Sequence, residues 1–199
     1  MPKSKRFLEL EDRLDVLRQH FLPVTFSPTG AYDPVSLDHA RAFILLAHAE
    51  IESYLEDRAL SKADRARRRW KSRGLCSALL SRLLVYHSAR SRADGWSPSL
   101  PSNDAVQKAI NFYQSELGRN NGIKEKNILC IFLPIGFRHC NLNATLLATL
   151  NSFGESRGKL AHLSVKAHQP IDPKSVSDEV WKNILPDLEK LDESLNKLR

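Results

Sequence analysis

The sequence predicts an all-α protein, and three observations carry that reading. Apolar residues recur at helical spacing between nearly all turn signals, and no stretch sustains a period-2 alternation bounded by hairpin dipeptides. Pro, Gly and Ser gather instead in a few connecting segments, which cut the chain into helix-length pieces. At 199 residues with 42% hydrophobic content, the chain can build one good core and is short for two, so a single domain is expected over 1–199. The net charge of +7 and pI near 9.5 point to an anionic partner. The longest apolar run, ILCIFLPIGF at 128–137, is about half of the roughly 20 residues a bilayer crossing needs and contains a Pro, so it reads as core and no membrane is expected. The start MPKSKRFLELEDRLD lacks an apolar signal region. Cys76, Cys130 and Cys140 are odd in number and show no metal-ligand spacing, so neither disulfides nor a zinc site is expected, and a reducing cytoplasm fits best.

Taken in order, Ser4 to His20 is amphipathic, with Phe7, Leu8, Leu14, Leu17 and Phe21 on one broad side. LPVTFSPTGAYDPVS is a loop, after which Ser36 or Asp38 caps a long helix whose dense apolar middle predicts burial on most sides. A new segment is expected at Ser61, with Asp64 completing an imperfect capping box, running through a basic half and an apolar half to Arg90. ADGWSPSLPSN breaks the pattern, and Ser102 or Asn103 starts a helix to about Leu117. GRNNGIKEKN is a loop, followed by a short helix at 128–133, a turn at Pro134 to Gly136 and a helix from about Asn141. HQPIDPKS links to a last helix that Pro186 should kink or divide.

Chemistry-bearing residues concentrate in FGESRGKLAHLS, where Arg157 and His162 stand five residues apart. Spacing alone is cheap, since a chain with 17 Arg and 7 His contains about 0.6 such pairs by chance. The second pair, Arg82 and His87, lies in an apolar helix, where a structural His is expected. Context separates them: NLNATLLATLNSFGESRGKLAHLS joins a Leu-rich helix to RGKLAH followed by Ser. In this stretch the sequence resembles the HEPN superfamily of helical ribonucleases, marked by an Arg and a His about four to six residues apart. The form RGxxAHxS, after a turn like LPIGF and before a Pro/Asp linker, resembles the RiboL-PSP-HEPN branch. HAEIESYLE in the early helix is a second matching patch, in which Glu52 stands at the family's acidic position. The resemblance covers roughly 38–195, with 1–37 an added helix and loop, and implies a HEPN-like helical bundle with extra peripheral helices.

The chemistry such a pair could perform is simple. RNA carries its own nucleophile in the 2′-hydroxyl, so cleavage needs a base, charge stabilisation on the phosphorane and an acid for the leaving oxygen. An unperturbed histidine has a pKa near neutrality, which suits His162 to a base or acid role, and Arg157 offers a planar, permanently charged fork for phosphate oxygens. No metal or cofactor is required. Positions five apart on a regular helix diverge by about 140°, so the two must converge on a groove or bend. The resemblance implies the solution, a homodimer whose paired motifs line one cleft. It also implies a metal-independent endoribonuclease leaving a 2′,3′-cyclic phosphate, in a toxin or phage-defence role restrained by an antitoxin or other partner protein. Many family members carry Asn or Asp after the Arg, whereas Gly158 stands here and removes one hydrogen-bonding side chain. Gly158 also weakens helix, so a helix starting after it would put Arg157 at an N-terminus suited to phosphate.

Glu52 follows His48 by four on a face otherwise apolar through Ile44, Ile51 and Leu55, and needs a partner there. Either Glu52 orients Arg157, as the resemblance implies, or it pairs locally with His48. Glu50 faces elsewhere and reads as solvated. KADRARRRWKSR holds seven basic residues in twelve. Arg65, Arg68 and Arg69, with Lys159, are candidates for tracking an RNA backbone and Trp70 for stacking on a base; the alternative is a solvated face with Trp70 anchored in the core. His139, Cys140 and His168 read as non-ligands. Two rival functions stand beside the ribonuclease. One is a non-catalytic HEPN module binding nucleotide, RNA or a partner protein; the other is a basic helical DNA-binding protein, for which no helix-turn-helix signature is evident.

Overall fold

Between Pro34 and Gly74 the sequence contains neither Pro nor Gly, and that absence sets the architecture. A computed structural model of the chain describes residues 2–90, 102–138, 142–162 and 171–198, apart from the side chains of 161 and 162. In it, a single 40-residue helix, α2 (Pro34–Arg73), forms the axis of the molecule. Asp33 caps it by accepting from the Ser36 amide, Pro34 occupies the first turn where its missing N–H costs nothing, and Gly74 ends it in the left-handed conformation at φ 65°. The cap lies three residues before the expected Ser36. The expected break at Ser61 does not occur, because Ala, Arg and Lys around it are good helix formers and nothing interrupts the ladder.

The remaining helices pack around this axis. Helix α1 (Lys5–Phe21) runs antiparallel to the first half of α2, tied by Arg6 to Asp57 and Arg13 to Glu50, so Glu50 is paired and half-buried rather than solvated. Its buried stripe is Phe7, Leu10, Leu14 and Leu17, whereas Leu8, one residue off that spacing, is exposed. After Gly74 the chain turns into α3 (Ala78–Arg90), then α4 (Asn103–Leu117, capped by Ser102), α5 (Glu125–Phe132) and α6 (Ala144–His162). Helix α7 (Pro173–Asp178) leads through a π-helical turn, Glu179–Ile184, into α8 (Leu185–Lys197). Pro186 accounts for that division: its ring excludes a regular turn before it, and the Leu185 amide reaches Val180 O, five residues back. Trp181, in the π turn, stacks on Phe43 at 5.9 Å. Ala40, Ala47, Ala59, Ala63 and Ala66 are buried along α2, and their small side chains let the surrounding helices approach closely. The middle of α2 is less enclosed than its composition predicts, since Leu45 and Leu46 are exposed.

All described elements are helical, and none is long and apolar enough to cross a membrane. The connections expected at 93–101 and 168–170, with His139, Cys140 and His168, lie outside the described residues.

One buried carboxylate fastens the ends of the chain to the axis. Asp192 on α8 is fully buried and accepts from the Ser4 amide (2.8 Å), Ser4 Oγ (2.7 Å) and the Tyr54 hydroxyl (3.0 Å). The Arg58 Nε lies 2.7 Å from its Oδ1. Removing one member of such a group strands the other charge in the interior. Asp192→Ala should therefore cost about 3–5 kcal/mol in urea unfolding, whereas Glu9→Ala, which loses only a surface contact to Lys5, should cost about 1 kcal/mol or less.

Candidate active site

The two sequence patches singled out for chemistry meet where α6 crosses the first half of α2. His48, on α2, is 2% exposed, and its ring stacks on Phe153 of α6 with 6.4 Å between centroids and 19° between planes. Arg157 lies one helical turn beyond Phe153, half-buried, and its charge acts on His48. Burial first, and the Arg157 guanidinium second, push the His48 pKa down to about 4, so the imidazole is neutral at physiological pH. Its Nδ1 is 3.7 Å from Glu52 Oε2, longer than a hydrogen bond, and a neutral ring makes this a polar contact rather than an ion pair.

Glu52 does more elsewhere. Among the described residues, the hydrogen bonds that reach it come from the loop between α4 and α5: Asn120 Nδ2 donates to Oε1 at 3.2 Å and the Gly122 amide makes a short bond to the same atom. Asn120 also lies 2.8 Å from Glu56 Oε1 and accepts from Asn127 at 3.0 Å. Gly122 takes a φ of 133°, which side-chain-bearing residues rarely adopt. Gly154 on α6 completes the fit, because a Cβ there would stand 3.2 Å from Lys124 Cγ. Glu52 thus secures the loop that packs beside α6, and of the two partners drawn from the sequence it is His48 that it meets, at 3.7 Å. The NNG loop carried a turn signal, but a partner some seventy residues away leaves no trace in local pattern.

Helix α6 continues without interruption through Gly158 to His162. Arg157 is therefore inside a helix and not at its N-terminus: a single Gly lowers helix stability by about 1 kcal/mol, which packing of Phe153 and Leu160 against the core outweighs. The backbone positions of Arg157 and His162 accordingly lie about 140° apart around the axis. The side chain of His162 is outside the described residues. Lys159 is exposed.

The basic run occupies the last three turns of α2, where Arg65 and Arg68 are exposed and Arg69 half-exposed. Trp70 packs against the core and its Nε1 donates to Asn103 Oδ1 at 3.0 Å, so its ring anchors the start of α4. From Glu52 to Arg65 is about 20 Å along the helix, so within one chain the run and Arg157 form separate surfaces. His87, of the other Arg/His pair, packs edge-on against Phe112 at 5.3 Å, the structural placement expected for it.

With this geometry, the comparison with known families is informative. The chain matches the RiboL-PSP-HEPN family model over residues 8–198 and belongs to that family. The match reaches back into α1, beyond the 38–195 carried by the motifs. No curated protein and no solved structure matches the chain. HEPN domains include ribonucleases as well as non-catalytic members, so membership gives a nuclease-like or RNA-related class.

Two outcomes test the site's physics. Because the unfolded His48 titrates near 6.5 and the folded one near 4, the unfolded chain takes up its proton first as pH falls, so stability is lost between those values, by up to about 3 kcal/mol. Denaturant unfolding from pH 7 to 4 should show this loss, and His48→Gln should flatten it; equal slopes would remove His48 as the cause. Gly158→Ala meets nothing within 4 Å and should raise stability by about 0.5–1 kcal/mol, seen as a melting temperature higher by about 1–4 °C.

Proposed function

We propose that this protein is a metal-independent endoribonuclease in which Arg157 stabilises the charge developing on the scissile phosphate and His162 moves the proton. The observation that carries the reading is the setting of Arg157: a half-exposed residue on α6, five residues before His162 and one turn beyond the Phe153 that stacks on a buried His48, which burial and then the charge of Arg157 keep neutral. A neutral, enclosed His48 is poorly suited to proton transfer and well suited to filling space beneath Arg157, which leaves His162 as the titrating group. The supporting residues Glu52 and His48 then act by shape, Glu52 through the α4–α5 loop and His48 through Phe153. Attack by the 2′-hydroxyl would leave a 2′,3′-cyclic phosphate.

The divergence of positions 157 and 162 on one straight helix favours a homodimer in which two copies of α6 face one cleft, so that the Arg of one chain and the His of the other approach the same phosphate. A toxin or phage-defence role, with an antitoxin or other partner protein restraining the nuclease, follows from the same reading. A non-catalytic module that binds nucleotide, RNA or protein is the second reading, and Gly158 favours it, since no polar side chain follows Arg157.

The experiment is cleavage of a mixed RNA pool in EDTA by the purified protein, with sedimentation to give the oligomeric state. Arg157→Ala and His162→Ala should each reduce cleavage by at least a hundredfold while leaving the melting temperature within a few degrees. Cyclic-phosphate ends lost in both variants support the nuclease. A confirmed dimer that cuts no RNA, or cuts equally in the variants, transfers the weight to the binding module.

A further inference from the structure

At the far end of α2 from Arg157, a lysine is buried without a counter-charge. Lys62 is 6% exposed as a residue, yet its Nζ keeps accessible surface, so an enclosed stem presents the ammonium to open space, and among the described residues no carboxylate lies within 4 Å of it. The nearby buried acid, Asp192, is already saturated: Ser4, Tyr54 and Arg58 occupy its oxygens. Asp64, two residues away, is engaged by Arg67 at 3.1 Å. A charge held at the end of an enclosed stem and left without a carboxylate is available to an anion that enters beside it.

Lys62 lines a cavity of about 350 Å³ between α2, the start of α3 and the end of α8. Arg65 and Arg69 follow Lys62 at three and seven residues, so all three cations share one helical stripe facing it. Ser77, just before α3, contributes a hydroxyl that accepts from the Leu80 amide and keeps its own O–H, and Asn196 comes from the last turn of α8, its Oδ1 fixed by Arg58 at 2.7 Å and its Nδ2 3.4 Å from Pro2 O and Asp192 Oδ2. Burial, with the charges of Arg58 and Arg65 adding to it and that of Asp192 opposing it, lowers the Lys62 pKa to about 8. Arg65 and Arg69 also line an adjoining open groove with Arg68, Lys71 and Arg73. A group seated in the cavity could therefore be attached to something larger lying along the end of α2.

We propose that Lys62, Arg65, Arg69, Ser77 and Asn196 form a binding site for a phosphate group, the phosphate monoester of a small nucleotide or of an RNA end. Arginine forks and an ammonium converging with hydroxyl and amide groups are the donor set that phosphate oxygens require. The enclosed shape selects a terminal phosphate over a backbone phosphodiester, which an open groove would serve. The site stands apart from Arg157 and does not depend on the nuclease reading.

The test is isothermal titration of the full chain with inorganic phosphate, with AMP, and with a short RNA carrying either a 5′-phosphate or a 5′-hydroxyl. The RNA arms use His162→Ala so that cleavage does not intervene. Lys62→Met keeps the apolar stem and removes the charge; Arg69→Gln reports separately if Lys62→Met perturbs folding. AMP or phosphate binding weakened at least tenfold in the variants identifies a small-molecule source. A 5′-phosphate preference lost in the variants identifies an RNA end, and either supports the site. Binding of no probe at millimolar concentration, or undiminished binding in both variants, overturns it.

Discussion

The uninterrupted course of α2 is the constraint on which the other elements depend. A helix of about 60 Å cannot fold back on itself, so every other helix must find its place along its length. Helix α1 covers its first half, α6 crosses where His48 and Glu52 project, and α3 returns beside its basic end. Two polar levels result on one rod. The first is His48 with Glu52; the second is Arg58 with Lys62, about three turns further on. Each would be costly to bury alone, and each is met by an element arriving from elsewhere in the chain: the α4–α5 loop at Glu52, and α8 with Ser4 at Arg58.

These polar contacts also determine what can move independently. The loop 118–124 is held by Glu52 from α2, by Asn127 from α5 and by close approach to Gly154 of α6. A displacement of α6 therefore disturbs the loop as well as Phe153 against His48, and Arg157 is carried with it. The backbone that carries Arg157 is consequently positioned by packing at the preceding turn, and among the described residues no ion pair engages its guanidinium. Packing is the more stringent restraint here, because a buried ring has few rotamers whereas an exposed ion pair is weak.

The groups of the candidate site were picked out by their resemblance to a family motif, whereas periodicity revealed the fold class and several helix bounds, because each is a local property of the chain. The stripe Phe7, Leu14, Leu17 and the ends of α4 at Ser102 and Leu117 are examples. Errors came where a local signal had no independent confirmation. Ser61 with Asp64 resembles a cap, but capping residues sit inside helices whenever no Gly or Pro follows to force an end, and the nearest is Gly74. Gly158 suggested a helix start by its propensity, which tertiary packing of Phe153 and Leu160 overrides. The partners of Glu52, the anchoring of Trp70 by Asn103 and the isolation of Lys62 depend on which helices become neighbours, information that a local window does not hold.

Continuity of α6 through Gly158 sharpens the mechanistic question. Had the helix begun after Gly158, Arg157 would have gained the orphan amides of a first turn, and a single chain could have supplied both an anion site and a proton carrier. Inside a helix those amides are consumed by the backbone ladder, so Arg157 has only its guanidinium to offer. What Gly158 contributes instead is space, since no atom lies within 4 Å of where its Cβ would be. On the proposed reading, the proton carrier must then come from the opposite side of the scissile phosphate, and about 140° of helical divergence within one chain makes a second copy of α6 the simplest source.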